Sequence, residues 1–193
     1  MKKCRIVGID LGGCAGNNTA LVVLEDSKVV EAFRIAKQEY AKCNQTLAYL
    51  VQKSDPHFIG IDAPLSIPRK LYDPDFRSFL EELSEGEITN PYLYRETEYF
   101  IYKTFGLRPM PPVGDRIGRI TARAIDLVRR LGKREIFELY PAQIKRRYAI
   151  NFSDDPHIND AYAAAFGVEK ILQGLTLYPI KGCFEEGWIY PVL

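Results

Sequence analysis

Two aspartates follow apolar stretches of the same kind, and their carboxylates are suited to binding a divalent cation. Asp10 ends the stretch CRIVGID and Asp62 ends the stretch HFIGID, each after a Gly-Ile pair. Sites in α/β sheets form beyond the carboxyl ends of parallel strands, and two close carboxylates repel each other unless a cation lies between them. If these stretches are neighbouring parallel strands, Asp10 and Asp62 are candidate ligands of Mg²⁺ or Mn²⁺. A pair of such ions about 4 Å apart can activate a water for phosphodiester cleavage.

Two further acids lie at positions where an α/β sheet places functional side chains. Glu138 lies in the apolar stretch REIFELY, and Asp160 lies near the start of the helical stretch NDAYAAAFGVEKILQ. The alternative is that strand-end and helix-start acids cap loops or helix N-termini, which is common. The first reading makes Asp10 and Asp62 a metal site, and the second makes each acid a local capping group.

Basic side chains lie on a predicted helix and in a short cluster after it. A helix over residues 115–131 places its arginines along one stripe at spacings of three and four residues, opposite an apolar face. These are Arg116, Arg119, Arg123 and Arg130, and Lys145, Arg146 and Arg147 form the second cluster. Such groups can neutralise phosphates. A solvated face of an amphipathic helix is the alternative.

The elements that must position these residues follow from apolar periodicity. Strands are predicted over 4–10, 19–25, 28–34, 57–62 and 134–140, and helices over 45–53, 115–131 and 159–173. The first three strands are joined by short turns, so they must be antiparallel. Later strands alternate with helices, which favours parallel pairing. The order predicts an α/β fold with a mixed five-stranded sheet flanked by helices, in which the first strand lies beside the fourth.

Residues 63–114 have a different composition, rich in proline and tyrosine. Two helices are predicted there, around 75–83 and 95–105, and such a long connection is usually functional or disordered. Arg95 and Glu98 lie on the second of these helices beside several tyrosines. Aromatic rings near cations can stack bases, although a tyrosine-rich face is more often core or interface. We expect one domain over 1–193, with an insertion at about 63–114.

Composition narrows the class of protein. The chain is 47% hydrophobic and 26% charged, and no apolar run approaches the roughly 20 residues of a membrane helix, so a cytoplasmic protein with no membrane partner is expected. The four cysteines form no CxxC pair and there are only two histidines, which disfavours a structural zinc site. The net charge is +1, so any binding of nucleic acid must depend on a local basic patch.

Six short motifs occur in order along nearly the whole chain. They are VGIDLGG at 7–13, GIDAPLSIP at 60–68, RETE at 95–98, ELYPA at 138–142, NDAYAAA at 159–165 and EGWI at 186–189. In this order they resemble an uncharacterised family of bacterial and archaeal proteins described as predicted nucleases of the ribonuclease H fold. The resemblance implies a ribonuclease H-like sheet with a helical insertion, and a metal-dependent nuclease that acts on DNA or RNA.

The resemblance also implies roles for individual residues. Asp10, Asp62 and Asp160 match the metal ligands of the first strand, the fourth strand and the last helix, with Mg²⁺ or Mn²⁺ as the cation. Glu138 is either a further ligand or the partner of Arg95. The motif RETE makes Arg95 and Glu98 candidates for contacting the substrate.

His157 departs from the pattern of related resolvase-type enzymes, which often carry a further acid one turn before the final aspartate. It lies three residues before Asp160 and on the same helical face. A histidine there can bind metal or act as a general base, or it can be an ordinary surface residue.

Two other functions remain open. The stretch GIDLGG followed by a hairpin also resembles the phosphate-binding loop of sugar-kinase and actin-like ATPases, but the chain has no second Gly-rich hairpin to complete a nucleotide cleft. A non-catalytic nucleic-acid-binding module on the same fold is favoured if His157 marks an incomplete set of ligands. The choice among DNA, RNA and a small nucleotide, and the oligomeric state, stay open.

Overall fold

The computed structural model of this chain describes residues 4–13, 18–72, 88, 90–175, 180–181 and 188–189. Within these residues the strands are β1 (Arg5–Asp10), β2 (Ala20–Glu25), β3 (Lys28–Arg34), β4 (Phe58–Asp62), β5 (Glu135–Glu138), β6 (Ile180–Lys181) and β7 (Trp188–Ile189). The α-helices are α1 (Tyr40–Ser54), α2 (Glu96–Phe105), α3 (Asp115–Leu131), α4 (Pro141–Tyr148) and α5 (Pro156–Leu172), and a 3-10 turn covers Arg69–Tyr72.

The strands form a sheet with the order β3-β2-β1-β4-β5-β7-β6. β1, β2 and β3 are antiparallel, whereas β4 and β5 run parallel to β1. The predicted ribonuclease H-like mixed sheet with an antiparallel meander is therefore confirmed. Its width differs from the prediction, because β6 and β7 extend the five strands to seven. Each of these two strands has only two residues, too short a segment to show a strand periodicity in the sequence.

The turn between β2 and β3 explains why these strands pair so closely. Asp26 and Ser27 both have positive φ, 48° and 66°, as in the type I′ turns whose twist matches that of the flanking strands. Aspartate tolerates this backbone better than most residues. The pairing brings Arg34, the last residue of β3, opposite Ala20, at the end of the sheet where β1 and β4 finish.

Alternation along β1 decides which helices each side chain meets. Val7 and Ile9 belong to the core that also contains apolar residues of α1 and α3. Ile6 belongs to the core on the opposite face, which contains the alanines of α5. Because side chains alternate between the faces of a sheet, Gly8 and Asp10 share the α5 face with Ile6.

Two glycines allow α5 to lie unusually close to the sheet. Gly8 and Gly60 are partners in the parallel pairing of β1 with β4. A Cβ added at Gly8 would lie 2.0 Å from the carbonyl oxygen of Ala161, and one at Gly60 would lie 2.7 Å from that of Ala164. The alanines of α5 are buried against this surface. The glycine before each Ile-Asp pair therefore creates the space that brings the start of α5 to the strand ends.

Of the five α-helices in the described residues, two agree with the prediction and three differ, and α1 begins at Tyr40 rather than at residue 45. α3 has the predicted bounds, and α2 begins within one residue of the predicted start. α5 begins at Pro156 rather than at residue 159, and α4 was not predicted because Pro141 was interpreted only as a strand terminator. Proline is also a favoured first residue of a helix. The helix predicted around 75–83 lies outside the described residues, and the single domain with an insertion at 63–114 remains a prediction.

No helix in the described part of the chain is both long enough and apolar enough to cross a membrane.

Candidate functional site

Asp10 and Asp62 lie side by side at the carboxyl ends of neighbouring parallel strands. They are direct partners in the pairing of β1 with β4, and adjacent strands are separated by about 4.8 Å. Their side chains leave the sheet on the α5 face, since Gly8 and Gly60 two residues earlier meet that helix. Asp10 is only 8% exposed, and Asp62 is partly buried.

The two carboxylates are placed where negative charge is costly. Burial, and then the negative charge of Asp160, raises the pKa of Asp10 to about 8, although Arg34 and Lys145 act in the opposite direction. Burial, followed by the charges of Asp10 and Asp160, raises the pKa of Asp62 well above its ordinary value. Without a cation, this pair holds a proton at neutral pH.

His157 contacts this pair directly from the first turn of α5. Its Nδ1 lies 2.7 Å from Oδ2 of Asp10. Burial, followed by the positive charge of Arg34, lowers the pKa of His157, so the imidazole is neutral at neutral pH. The contact is therefore a hydrogen bond that fixes the orientation of the Asp10 carboxylate, and the proton lies on either partner according to the charge of Asp10.

Asp160 comes from the same turn of α5 and is held by a cation from α4. The Lys145 ammonium group forms an ion pair with Asp160 Oδ1, and both side chains are about one quarter to one third exposed. Asp160 is close enough for its charge to raise the pKa of both Asp10 and Asp62. The structure therefore gathers three aspartates at one end of the sheet, two facing each other and the third balanced by a lysine.

The start of α5 is fixed by a capping aspartate and an arginine from β3. The Asp155 carboxylate accepts hydrogen bonds from the backbone amides of His157 and Ile158, at 2.9 and 3.2 Å. Arg34 donates to both oxygens of the same carboxylate, at 2.6 and 2.5 Å. Capping groups of this kind typically contribute about 1 kcal/mol. Here they also determine where His157 and Asp160 lie relative to β1.

Glu138 leaves the sheet on a different face from the aspartates. It pairs with Ile61 in the register of β4 with β5, so it leaves the sheet on the face opposite to Asp62. There it accepts hydrogen bonds from the Arg95 guanidinium, including one of 2.9 Å, and from the Leu65 amide at 2.8 Å. Of the two roles that the sequence left open for Glu138, the structure shows the pairing with Arg95.

Arg95 and Glu98 are also buried, and they form an ion pair with each other. Arg95 is 1% exposed and donates through Nε to both oxygens of Glu98 at 3.1 and 3.0 Å, and through Nη1 to Ser66 at 2.9 Å. The Glu98 carboxylate also accepts from the Arg95 backbone amide at 2.8 Å, which forms a capping box at the start of α2. These contacts correct the predicted substrate role of Arg95, because its guanidinium ties α2 to β5 and to the segment after β4.

The arginine stripe of α3 is only partly a surface feature. Arg119 is exposed, but Arg123 is buried and donates to the carbonyl of Gly12, to Thr19 Oγ1 at 3.3 Å and to Asn44 Oδ1 at 3.3 Å. The predicted phosphate contact of Arg123 is therefore corrected, because packing of α3 against α1 directs this side chain into the protein beneath the loop after Asp10. The side chain of Arg116 lies outside the described residues.

A cleft of about 310 Å³ opens beside the acid pair at the carboxyl end of the sheet. Asp10, Asp62, Glu98 and Glu138 contribute acidic groups to its lining, and Arg108 and Tyr140 contribute a cation and a phenol. The remaining lining is apolar and comes from the sheet end, α2, the segment before α3, and α3: Leu11, Ala63, Pro64, Ile101, Pro109, Met110, Ile117, Ile120 and Leu139.

Several residues at this site were not singled out from the sequence. Arg34 and Arg108 lie in no motif, and Tyr140 lies within ELYPA but was given no role; the positions of all three depend on which elements pack together. Asp155 is different, because the pair Asp155-Pro156 has a favoured capping residue followed by a favoured first helical residue. That local signal marks the observed start of α5 at Pro156, but the predicted helix over 159–173 did not use it.

The donor set fits a divalent cation of the magnesium type. Within the described residues, no three His, Cys, Asp or Glu side chains already converge as a metal-ligand group. Mg²⁺, however, is usually bound by one or two carboxylates together with water and substrate phosphates. Asp10 and Asp62, which lie side by side with raised pKa values, form such a pair, and a cation would remove the repulsion between them.

Comparisons with known proteins give a likeness of fold. Neither a protein-family model nor a curated protein matches this chain. Among solved structures, T. thermophilus RuvC in complex with a Holliday junction substrate has 12% sequence identity and a TM-score of 0.49, with 89% of this chain and 96% of that chain covered. A second Thermus thermophilus RuvC structure has 12% identity and a TM-score of 0.46, with 88% and 96% covered. The resemblance to the predicted-nuclease family remains a prediction from the six ordered motifs.

Proposed function

We propose that this chain is a metal-dependent phosphodiesterase that cuts DNA or RNA. The observation that carries this proposal is the pairing of Asp10 with Asp62 at adjacent strand ends beside a cleft. We assign these two aspartates to hold Mg²⁺ or Mn²⁺, and Asp160 to complete the ligand set. A bound cation of this kind supplies an activated water and stabilises the leaving oxygen.

The residues of the chain prepare the site in three ways. His157 holds the Asp10 carboxylate through the contact of 2.7 Å between its Nδ1 and Oδ2 of Asp10. As a neutral imidazole, it can also accept a proton from a water bound nearby. The Lys145 ammonium balances the charge of Asp160 and, when a cation binds there, is placed to contact a substrate phosphate.

An exposed arginine of α3 beside the cleft supports nucleic acid as the substrate. Arg119 lies on the solvent side of α3, whose residues Ile117 and Ile120 line the cleft. We assign Arg119, with Arg116 one turn earlier, to contact phosphates outside the cleft. Each phosphate contact of this kind makes binding weaken as salt increases.

Cleavage assays test the proposal. The protein is incubated with Mg²⁺, Mn²⁺ or EDTA and with single-stranded, duplex and branched DNA and RNA. We expect cation-dependent cleavage that Asp10→Asn and Asp62→Asn reduce by about 100-fold or more, since even the groups that support metal ligands are typically worth 10- to 100-fold. Asp154→Asn is the matched control, because Asp154 is an exposed aspartate just before α5. Cleavage that persists in EDTA, or in Asp10→Asn, would contradict the proposal.

A non-catalytic nucleic-acid-binding module is the second candidate, and one observation favours it. Asp160 is already paired with Lys145, and Asp10 is already bonded to His157. The same assays separate the two, since the module binds nucleic acid without cutting it.

A kinase-like or actin-like use of the loop after β1 has less support, because the Gly12 amide donates to Thr19 Oγ1 at 3.1 Å and the Gly12 carbonyl accepts from Arg123.

A further inference from the structure

The cleft beside the acid pair has an apolar wall, which metal-dependent cleavage by itself does not require. We propose that this wall binds a single unstacked nucleobase, while the phosphate attached to that nucleotide lies over Asp10 and Asp62. The inference rests on the proposed function and names its substrate class. The substrates would be nucleotides within a single strand, nucleotides at the end of a strand, or free nucleotides.

The wall is built from two helices and the segment that joins them. Ile101 of α2, Met110 of the joining segment, and Ile117 and Ile120 of α3 all line the cleft. Met110 is 61% exposed although its side chain is apolar. The thioether of methionine makes favourable contacts with aromatic rings, so an exposed methionine at the edge of such a cleft is suited to covering a base.

The polar groups of the cleft complement the rest of a nucleotide. Tyr140 lines the cleft, and burial, followed by the charges of Asp62 and Glu98, raises the pKa of its phenol. The hydroxyl is therefore neutral and can exchange hydrogen bonds with the edge of a base. Arg108, also in the lining, adds positive charge for a phosphate. Base-sized apolar surface, a neutral donor and a cation thus lie in one continuous cleft with the acid pair.

The size of the cleft selects against a base that stays in a duplex. Its volume is about 310 Å³, at the small end of the roughly 300–1,000 Å³ found for clefts that take small molecules. A base inside a duplex enters such a pocket only after it has left the stack, and the cost is least when the strand is already single. A single nucleotide therefore fits this site better than an intact duplex.

Binding of abasic probes tests the inference independently of cleavage. A labelled single-stranded oligonucleotide is compared, by fluorescence anisotropy with Mn²⁺ and with EDTA, with a probe that keeps every phosphate but carries abasic sugars. Stacking on a protein contributes about 1–3 kcal/mol per base, so we expect the abasic probe to bind roughly 10-fold more weakly. Met110→Gln should reduce that preference to about 3-fold or less without changing binding of the abasic probe. Leu172→Gln is the matched control, because Leu172 is exposed at the far end of α5.

The outcomes distinguish this inference from the proposed function. Equal binding of the two probes, or binding of an end-capped duplex as tight as that of the single strand, would overturn the base site even if cleavage dependent on Asp10 is found. Preference for the base-containing probe without any cleavage would support the base site and contradict the proposed nuclease function. Displacement of the probe by a mononucleotide but not by inorganic phosphate would support the base site and identify free nucleotides as one source of the ligand.

Discussion

At the scale of single residues, Asp10 is a carboxylate in an unfavourable place. It is 8% exposed and lies beside Asp62 in the sheet, so charging it in the folded protein costs free energy. Functional sites commonly retain such a cost, and neutral replacements there often stabilise a protein while removing its activity. The raised pKa of Asp10, about 8, gives this cost a definite dependence on pH.

We predict that Asp10→Asn stabilises the cation-free protein, and more so at high pH. A raised folded-state pKa favours folding below the unfolded value near 3.9, and this contribution is lost as the pH rises towards about 8. An asparagine does not have to lose that proton. Between pH 5 and pH 8 the advantage of Asp10→Asn in the free energy of unfolding should therefore grow by about 2–4 kcal/mol. Urea unfolding in EDTA at the two pH values measures it.

Asp154→Asn is the control for this comparison, because the Asp154 side chain is exposed. Its effect on unfolding should be small and nearly the same at both pH values. If the stability advantage of Asp10→Asn stays constant, or falls, between pH 5 and pH 8, charging Asp10 in the folded protein does not cost free energy.

Individual residues also show how far a sequence can be interpreted. The neighbouring placement of Asp10 and Asp62 follows from strand order, which the apolar pattern predicts. The role of Glu138 was harder to predict, because the face of the sheet on which it lies depends on its exact register against β4. Arg123 was placed on the exposed stripe by helical spacing, but the packing of α3 on α1 buries it. Packing between elements far apart in the chain decides which face such residues occupy and whether they are buried. The spacing of residues along one element does not encode that packing.

At the scale of elements, the glycines of β1 and β4 determine where α5 can lie. The backbone of α5 approaches so closely that a Cβ at Gly8 would lie 2.0 Å from one carbonyl oxygen and 2.5 Å from the Ala165 amide nitrogen. Neither backbone atom can move without shifting the helix. The distance between α5 and the sheet therefore determines the contact of His157 with Asp10.

We predict that Gly8→Ala destabilises the protein by about 3 kcal/mol, at the upper end of the usual cost of overpacking. It should also weaken cation binding, since α5 must move away from β1. Gly118→Ala is the matched control: in the first turn of α3 the new Cβ would lie 3.3 Å from the Val113 carbonyl oxygen, and the gain of an alanine in a helix offsets the tight contact. Thermal unfolding and Mn²⁺ titration of both variants measure the difference. Equal stability of the two variants would contradict the role given to Gly8.

Prediction of the elements succeeded where a long periodic pattern existed. The observed bounds of β3 and α3 agree to the residue with the bounds predicted from the sequence. α4 was missed because it has only eight residues and begins at Pro141, with only Leu139 and Tyr140 between it and β5. Its omission mattered for the site, since α4 carries the Lys145 that pairs with Asp160.

At the scale of the whole molecule, the fold brings distant segments of the chain to one end of the sheet. β1 and β4 carry the acid pair, β3 and α4 supply the cations Arg34 and Lys145, and α5 supplies His157. α2 and α3 close the apolar side of the cleft. Arg34 and Lys145 each form an ion pair with an aspartate of α5 or its N-cap, Asp155 and Asp160, although the net charge of the chain is only +1. The site is therefore a local arrangement that overall composition does not reveal.

Calorimetric titration with Mn²⁺ tests most directly whether the acid pair is a cation site. In wild-type protein we expect one saturable binding event near pH 7, with release of protons to the buffer because the pair holds a proton before the cation binds. Asp62→Asn should remove this event, and Asp154→Asn should leave it unchanged. Absence of binding in the wild type, or binding of the same affinity in Asp62→Asn, would contradict the account.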